Sequence, residues 1–193
     1  VPKVKYFMQD KVELKVHSVS EIVGNSEVGI VVLMDKDEMM QIAIVCDKAM
    51  KETLHMHISK QKVCNTMLAD VLANILLNQV GYKCELIIND IVDGVYKAMI
   101  VNTETYQPVS LRASDAILMH IITKTPIYAT MQLMKRQAVP VTAGSISMAL
   151  PYNALSDKML QDAMKSAVEQ EKYEMASAIR SEEHTSELQS PCG

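Results

Sequence analysis

Arg112, Ser114 and Asp115 offer the densest chemistry in the chain, because they lie within four residues at the start of an apolar run. A guanidinium can bind a phosphate through paired hydrogen bonds, and a carboxylate can hold a divalent cation or orient a water molecule. The same residues also suit a helix start, with Ser114 capping the first turn and Asp115 placed where the helix dipole favours an anion. In that second interpretation Arg112 simply pairs with Asp115, and the sequence leaves both interpretations open.

The residues around this cluster resemble the signature of a known family. Arg112 to Ile117 forms an Arg-x-Ser-Asp-Ala-Ile helix start, and Thr125 to Tyr128 follows it as a Thr-Pro-Ile-Tyr strand. This combination resembles the bifunctional nuclease (BFN) domain family, over about Val12 to Leu133. The resemblance implies a nuclease that hydrolyses phosphodiester bonds of DNA or RNA. Such a reaction usually relies on carboxylates that hold a divalent ion, here Mg²⁺ or Mn²⁺.

The candidate site residues follow from this resemblance and from residue chemistry. Arg112 is expected to contact the phosphate, and Asp115 to bind the divalent ion. Asp90 and Asp93, near the tip of a predicted hairpin, are further candidate metal ligands, although acids in turns more often accept backbone hydrogen bonds. His120 is the candidate proton carrier, and its apolar neighbours also fit a hydrogen-bonded histidine at the edge of the core.

One segment departs from the family's pattern. Where the family commonly reads Arg-Pro-Leu-Thr-His-Asp-Leu, residues 61–67 contain none of the Arg, Pro, His and Asp. Asn65 and Thr66 stand at the His and Asp positions, and neither can act as a base near neutral pH. The family's Trp and Gly after the third strand are replaced by Ala43 and Val45. An alternative function is therefore a catalytically weak scaffold that binds a protein partner.

Composition sets the broad class. The chain has 193 residues, 49% of them hydrophobic, which is enough for one core and a small appendage. Its 19 basic and 23 acidic residues give a net charge of −4, with no basic surplus of the kind that attracts nucleic acid. Cys46, Cys64 and Cys84 lack metal-binding spacing and are interpreted as reduced thiols of a cytoplasmic, bacterial-type protein. We expect no membrane span and a homo-oligomer.

Hydrophobic periodicity predicts an α+β domain with an antiparallel or mixed sheet and packed helices. Three predicted strands form a meander with a turn at Gly24 to Ser26, namely Val12–Ser18, Val28–Met34 and Met40–Cys46. Two more, Cys84–Ile91 and Val95–Val101, form a hairpin. The last two predicted strands are Val109–Leu111 and Ile127–Ala129. The predicted helices are Asp47–Ile58, a helix capped by Asn65 or Thr66, the signature helix, and Met131–Gln137.

The helix after Thr66 has an apolar stripe that predicts its buried face. The stripe contains Leu68, Val71, Leu72, Ile75 and Leu76. Helices of this kind turn such a stripe toward the core. Asp70 falls off the stripe and is predicted to be solvated. His17, on the polar side of the first strand, is likewise predicted to face solvent.

Beyond residue 139 the organisation changes. We predict a BFN-like domain over residues 1–139, a linker over 140–151 and a truncated helical hairpin over 152–180. The hairpin resembles the UVR motif at residues 173–180, and it would bind a protein partner through Tyr173, Ala176 and Ile179. Residues 181–193 resemble a translated sequencing adapter and are excluded from the fold prediction. Since the chain begins at Val1 without a Met, we expect it to be a fragment.

Overall fold

The computed structural model describes residues 10–22, 25–61 and 65–141, which build a mixed β-sheet with helices packed on it. In this part of the chain the strands are β1 Lys11–Ile22, β2 Asn25–Asp35, β3 Met40–Asp47, β4 Cys84–Val92, β5 Val95–Asn102, β6 Pro108–Arg112, β7 Ile127–Thr130 and β8 Val139–Pro140. The sheet order is β6-β5-β4-β7-β1-β2-β3-β8. β7 is parallel to β4 and antiparallel to β1. The predicted α+β class is confirmed.

The first three strands form the predicted antiparallel meander. Alternation along β1 buries Leu14 and leaves His17 exposed, as the sequence predicted. Of the predicted turn, Gly24 lies outside the described residues, whereas Asn25 and Ser26 already belong to β2. The meander therefore begins with longer strands than the hydrophobic alternation alone indicated.

The β4 and β5 strands form the predicted hairpin. Its turn consists of Asp93 and Gly94, whose φ angles are 50° and 74°. A two-residue hairpin turn whose twist matches that of the strands requires a positive φ at both of its central residues. The Asp-Gly pair meets this requirement. β6 extends this half of the sheet at its edge, and β7 joins the two halves because it pairs with both β4 and β1.

The α-helices in the described residues are α1 Lys48–Ile58, α2 Leu68–Asn74, α3 Ala113–Thr123 and α4 Met131–Gln137. All four occupy the places that periodicity predicted. Asp47 is the N-cap of α1, and its Oδ1 accepts a hydrogen bond of 2.8 Å from the backbone N–H of Met50. Thr130 caps α4 in the same way through its hydroxyl.

The prediction for α2 was wrong in two respects. Its N-cap is Met67, which makes no side-chain cap hydrogen bond, so the predicted cap at Asn65 or Thr66 is absent. The helix also changes to a π-helical turn at Ile75–Gln79. Four of the five residues of its predicted buried stripe are exposed, because the helix is rotated so that Asp70 points inward to the ring of His57.

A single main core joins both halves of the sheet. It takes side chains from the sheet and from α1, α3 and α4, and its fully buried members include Val31, Leu33, Leu54, Leu86, Ile88, Ala116, Ile117, Ile127, Ala129 and Leu133. These are aliphatic, as expected for a chain without Trp and with one Phe. A second, smaller buried cluster in the described residues consists of Ile30, Val32 and Ala43.

The C-terminal predictions lie outside the described residues. They are the greater part of the linker, the UVR-like hairpin and the tail, together with Cys64. Among the helices that the structure describes, none is both long and apolar enough to cross a membrane.

Candidate functional site

The signature residues lie at a cleft of about 460 Å³ between the two halves of the sheet. We call it the Arg112 cleft. Its walls come from the start of β2, the end of β3, the turn between β4 and β5, and the junction of β6 with α3. The polar side chains that line it belong to Glu27, Cys46, Asp47, Asp93, Tyr96, Arg112 and Ser114. Segments far apart in sequence therefore meet at the signature.

Arg112 is the last residue of β6 and the N-cap of α3. Its Nε donates to Oδ2 of Asp115 at 2.6 Å, and its Nη2 donates to Oδ1 at 2.9 Å. Its Nη1 lies 3.9 Å from Oδ2 of Asp47. The hydrogen bonds to Asp115 raise the pKa of Arg112, so the guanidinium stays cationic. The side chain remains exposed, and a phosphate can reach it.

Asp115 has both carboxylate oxygens engaged by Arg112. The ion pair, one of the two alternatives that the sequence left open, is thus the arrangement in the structure. A fork of this kind fixes the plane of the guanidinium. The role of Asp115 as a metal ligand stays a prediction. In that role its carboxylate would bind the metal ion and Arg112 at the same time.

Ser114 does not cap the signature helix. The N-cap is Arg112, and it makes no side-chain cap hydrogen bond, while Ser114 is the second helical residue and is buried. The prediction was wrong because β6 runs directly into α3, which moves the start of the helix ahead of the serine. Ser114 instead contributes to the cleft wall.

The two acids of the hairpin tip are separated by the structure. Asp93, in the turn, lines the Arg112 cleft. Asp90 instead accepts hydrogen bonds from Nη2 of Arg136 at 2.6 Å and from the N–H of Ile91 at 2.9 Å. The bond with Arg136 lowers the pKa of Asp90. Only Asp93 of the predicted pair is therefore placed to act together with Arg112.

His120 lies near the other end of α3. It is five residues beyond Asp115, which corresponds to about 7 Å along the helix axis. Its Nδ1 donates to the carbonyl oxygen of Thr125 at 2.8 Å, since a carbonyl can only accept. The structure matches the hydrogen-bonded histidine that the sequence allowed, and it does not place His120 in the Arg112 cleft.

Asp47 is the site residue that the sequence reasoning missed. It was included only as the first residue of a predicted helix. Its Oδ1 caps α1, while its Oδ2 faces Arg112. The available signal was its position, since an Asp directly between a buried strand and a helix has a fixed carboxylate.

Cys46 also lines the cleft, but its chemistry is unfavourable for nucleophilic attack. Burial raises the pKa of the Cys46 thiol to about 11. The thiol is therefore protonated near neutral pH, and a protonated thiol is a poor nucleophile.

The described residues contain no group of three or more His, Cys, Asp or Glu side chains that could hold a metal ion. Asp47 and Asp93 nevertheless both line the Arg112 cleft. Mg²⁺ is commonly held by one or two carboxylates together with substrate phosphates and waters. These two carboxylates therefore fit an ion that binds together with the substrate better than an ion that stays bound without substrate.

A second polar arrangement joins α1 to α2. Nδ1 of His57 lies 2.8 Å from the carbonyl oxygen of Thr53, and Nε2 lies 2.9 Å from Oδ2 of Asp70. The side chains of His57 and Asp70 are only 5% and 14% exposed. The prediction that Asp70 is solvated was wrong, because this histidine provides a buried partner.

Comparison with known proteins decides the family. The family described as "Bifunctional nuclease domain" matches residues 31–142, more than half of the chain. The chain belongs to the bifunctional nuclease domain family. No protein with a curated description matches it. The BFN match covers both the Arg112 to Ile117 signature and the walls of the cleft from β3 onward. It starts after β1, although β1 lies between β7 and β2 in the sheet.

Proposed function

We propose that this BFN chain is a nuclease that cleaves phosphodiester bonds of nucleic acid in the Arg112 cleft. The observation that carries the proposal is the meeting of Arg112 with Asp47 and Asp93 in one cleft. A guanidinium can bind the phosphate, while carboxylates can hold a cation beside it. Membership of the family supports the same class of reaction.

The roles follow from the contacts. Arg112 binds a non-bridging phosphate oxygen through a donor that Asp115 does not use. Asp115 orients Arg112 by accepting two of its hydrogen bonds. Of the predicted metal ligands, Asp93 fits best, with Asp47 beside it in place of Asp90.

The carboxylates that line the Arg112 cleft are the reason that a cation would help to bind a polyanion there. Glu27, Asp47 and Asp93 line the cleft with Arg112, and Lys48 pairs with Glu27 at 2.8 Å outside it. A polyanion that approaches these carboxylates is repelled unless a cation compensates them. Asp47 and Asp93 would hold Mg²⁺ or Mn²⁺ here, and the ion would compensate these charges and lower the pKa of a bound water.

The test is cleavage of labelled single- and double-stranded DNA and RNA, with Mg²⁺ or Mn²⁺ and with a chelator. We expect Arg112→Gln to lower turnover about 10- to 100-fold, since a hydrogen bond to a charged group contributes about 1.5–3 kcal/mol. Wild-type cleavage should itself be slow, because Asn65 and Thr66 stand at the positions of the family's His and Asp. Wild-type turnover in Arg112→Gln contradicts the proposal.

The chain provides a matched control in a second Arg and Asp pair. Arg136 and Asp90 are joined at 2.6 Å with side chains 47% and 45% exposed, against 66% and 34% for Arg112 and Asp115. Arg136→Gln and Asp90→Asn should leave turnover unchanged. Asp115→Asn separates two roles of Asp115, since a metal ligand predicts abolished metal stimulation and a positioning residue predicts a smaller loss.

A catalytically weak scaffold is the second candidate. The bidentate pairing of Arg112 with Asp115 favours it, because each group already satisfies the other. In this version the predicted UVR-like hairpin after the 140–151 linker binds a protein partner in the cytoplasm through Tyr173, Ala176 and Ile179. Absence of metal-dependent cleavage by the folded protein on all four substrates supports the scaffold.

A further inference from the structure

The Arg112 cleft combines an apolar floor with a charged mouth. Ile44, Tyr96 and Ala113 line it and are 2%, 4% and 4% exposed, so they form its floor. The side chains of Asp47 and Arg112 line the same cleft and are 63% and 66% exposed. A ligand that fills the cleft therefore meets charged groups first and apolar surface further in.

A phosphodiester group uses only the mouth of such a cleft. The group is charged and strongly hydrated, so it gains from Arg112 and a cation but gains nothing from apolar side chains. Three valines extend the apolar lining, namely Val28, Val45 and Val95. The part of a nucleic acid strand that gains from apolar surface is the face of an unstacked base.

The floor also holds a polar atom without a partner. The hydroxyl of Tyr96 is buried and makes no hydrogen bond within the described residues. Buried polar groups are nearly always hydrogen-bonded, so a ligand that enters this cleft is expected to supply the partner. Every nucleobase carries donors and acceptors on its edge, whereas a purely apolar ligand carries neither. The hydroxyl of Tyr96 therefore favours a base over an apolar occupant.

The size of the cleft suits one nucleotide. Its volume of about 460 Å³ lies within the range of roughly 300–1,000 Å³ that is typical of small-molecule sites. In a duplex the bases are stacked on each other and present only their edges in the grooves. A base can reach the floor of the cleft only from a strand that is unpaired at that position, or after leaving the stack of a duplex.

We propose that the Arg112 cleft takes up one unpaired base of a single-stranded nucleic acid, with the adjoining phosphate at Arg112. The inference rests on the proposed function, which brings nucleic acid to this cleft, and it specifies the strand as unpaired. The base lies against Val95 and the floor, and the hydroxyl of Tyr96 bonds to its edge. Contact with the face of a base does not depend on the sugar, so DNA and RNA strands both fit.

Fluorescence anisotropy of the full chain with labelled strands in Mg²⁺ tests this inference. Single-stranded DNA and RNA with phosphorothioate linkages, which slow hydrolysis, are compared with a duplex and with an abasic strand of equal length. The abasic strand keeps every phosphate and loses the bases, so it isolates the electrostatic part of binding. We expect the duplex and the abasic strand to bind about tenfold more weakly than the intact strands, or weaker still.

Val95 and Val109 provide a matched pair of variants. Both are valines of edge-side strands and both are 58% exposed, but of the two only Val95 lines the cleft. Val95→Ala should weaken binding of the intact strands about fivefold, because two methyl groups lose their contact with the base. Binding of the abasic strand by Val95→Ala should not change, and Val109→Ala should bind every strand as the wild type does.

Tyr96→Phe removes the hydroxyl and keeps the ring. If the partner of the hydroxyl is the base, the variant should bind the intact strands about fivefold more weakly, while its urea midpoint is at least that of the wild type. A lower midpoint shows that the hydroxyl has a partner within the folded chain, and it overturns the role of Tyr96.

The inference and the proposed function fail by different results. Equal affinity for the intact strands and the abasic strand overturns the inference, as does a duplex that binds as tightly as a single strand. An equal loss in Val95→Ala and Val109→Ala overturns it as well. None of these results bears on the nuclease proposal, which is tested by turnover of Arg112→Gln. Base-dependent binding without any cleavage supports the inference while the nuclease proposal fails.

Discussion

Replacing Asp70 by Ala should destabilise the fold through the loss of one buried hydrogen bond. Nδ1 of His57 faces a carbonyl oxygen, which only accepts, and Nε2 faces a carboxylate oxygen of Asp70. In Asp70→Ala, Nε2 of His57 loses its hydrogen-bond partner while the ring stays buried.

The magnitude follows from the burial of the two side chains. A buried polar atom left without a hydrogen-bond partner costs about 1–3 kcal/mol. Because Asp70 keeps 14% exposure, water can partly replace it, and we expect about 2 kcal/mol, roughly a 30-fold change in the unfolding equilibrium. Asp70→Asn should lose less, since the amide can still form a hydrogen bond with Nε2.

Urea unfolding of the wild type, Asp70→Ala and Asp70→Asn measures the loss. Asp90→Ala is the control, because it breaks an exposed pair with Arg136, and such pairs contribute about 0–1 kcal/mol. Hydrogen exchange should also show faster exchange in α2 than in α3 of Asp70→Ala. A midpoint for Asp70→Ala that equals that of Asp90→Ala would refute the assignment of His57 and Asp70 as a buried clamp.

Three further predictions concern packing and pH. Leu54→Ala should cost about 2–5 kcal/mol, whereas Leu72→Ala should cost less than about 1 kcal/mol, and equal urea midpoints would contradict the orientation of α2. Gly29→Ala should cost about 1–3 kcal/mol in the same assay, since its new Cβ would lie 2.7 Å from Cβ of Lys51 and 2.8 Å from Sγ of Cys46. Folding raises the pKa of Cys46 from 9.0 to about 11, so stability present below pH 9 should fall by up to about 1.4 kcal/mol per pH unit as pH rises toward 11. In Cys46→Ser, urea midpoints measured across the same pH range should no longer show this fall in stability.

Local patterns were sufficient for most of the elements. The alternation from Val12 to His17 in β1, the Asp-Gly turn between β4 and β5, and Asp47 ahead of α1 each depend on neighbours within a few residues. Short connections between β1, β2 and β3 then required an antiparallel meander. The signature at Arg112 likewise identified the family, because it is a contiguous motif.

The tertiary structure alone decided what surrounds that motif. Asp47 is 65 positions before Arg112, yet the two residues line the same cleft. Asp90 and Asp93 are three positions apart, yet only Asp93 lines that cleft. These outcomes depend on β7 lying between β4 and β1, which brings the two halves of the sheet into one core. No local pattern reports how such distant segments pack.

The orientation of α2 shows most clearly what the sequence determined and what the packing decided. Its sequence determined a helix with one apolar stripe, and periodicity alone assigned that stripe to the core. The partner of Asp70 is a histidine on another helix, and Ala73 is the buried residue of α2 on that side. The sequence by itself therefore determined which residues share a face of α2, and only the packing against α1 and α3 decided which face is buried.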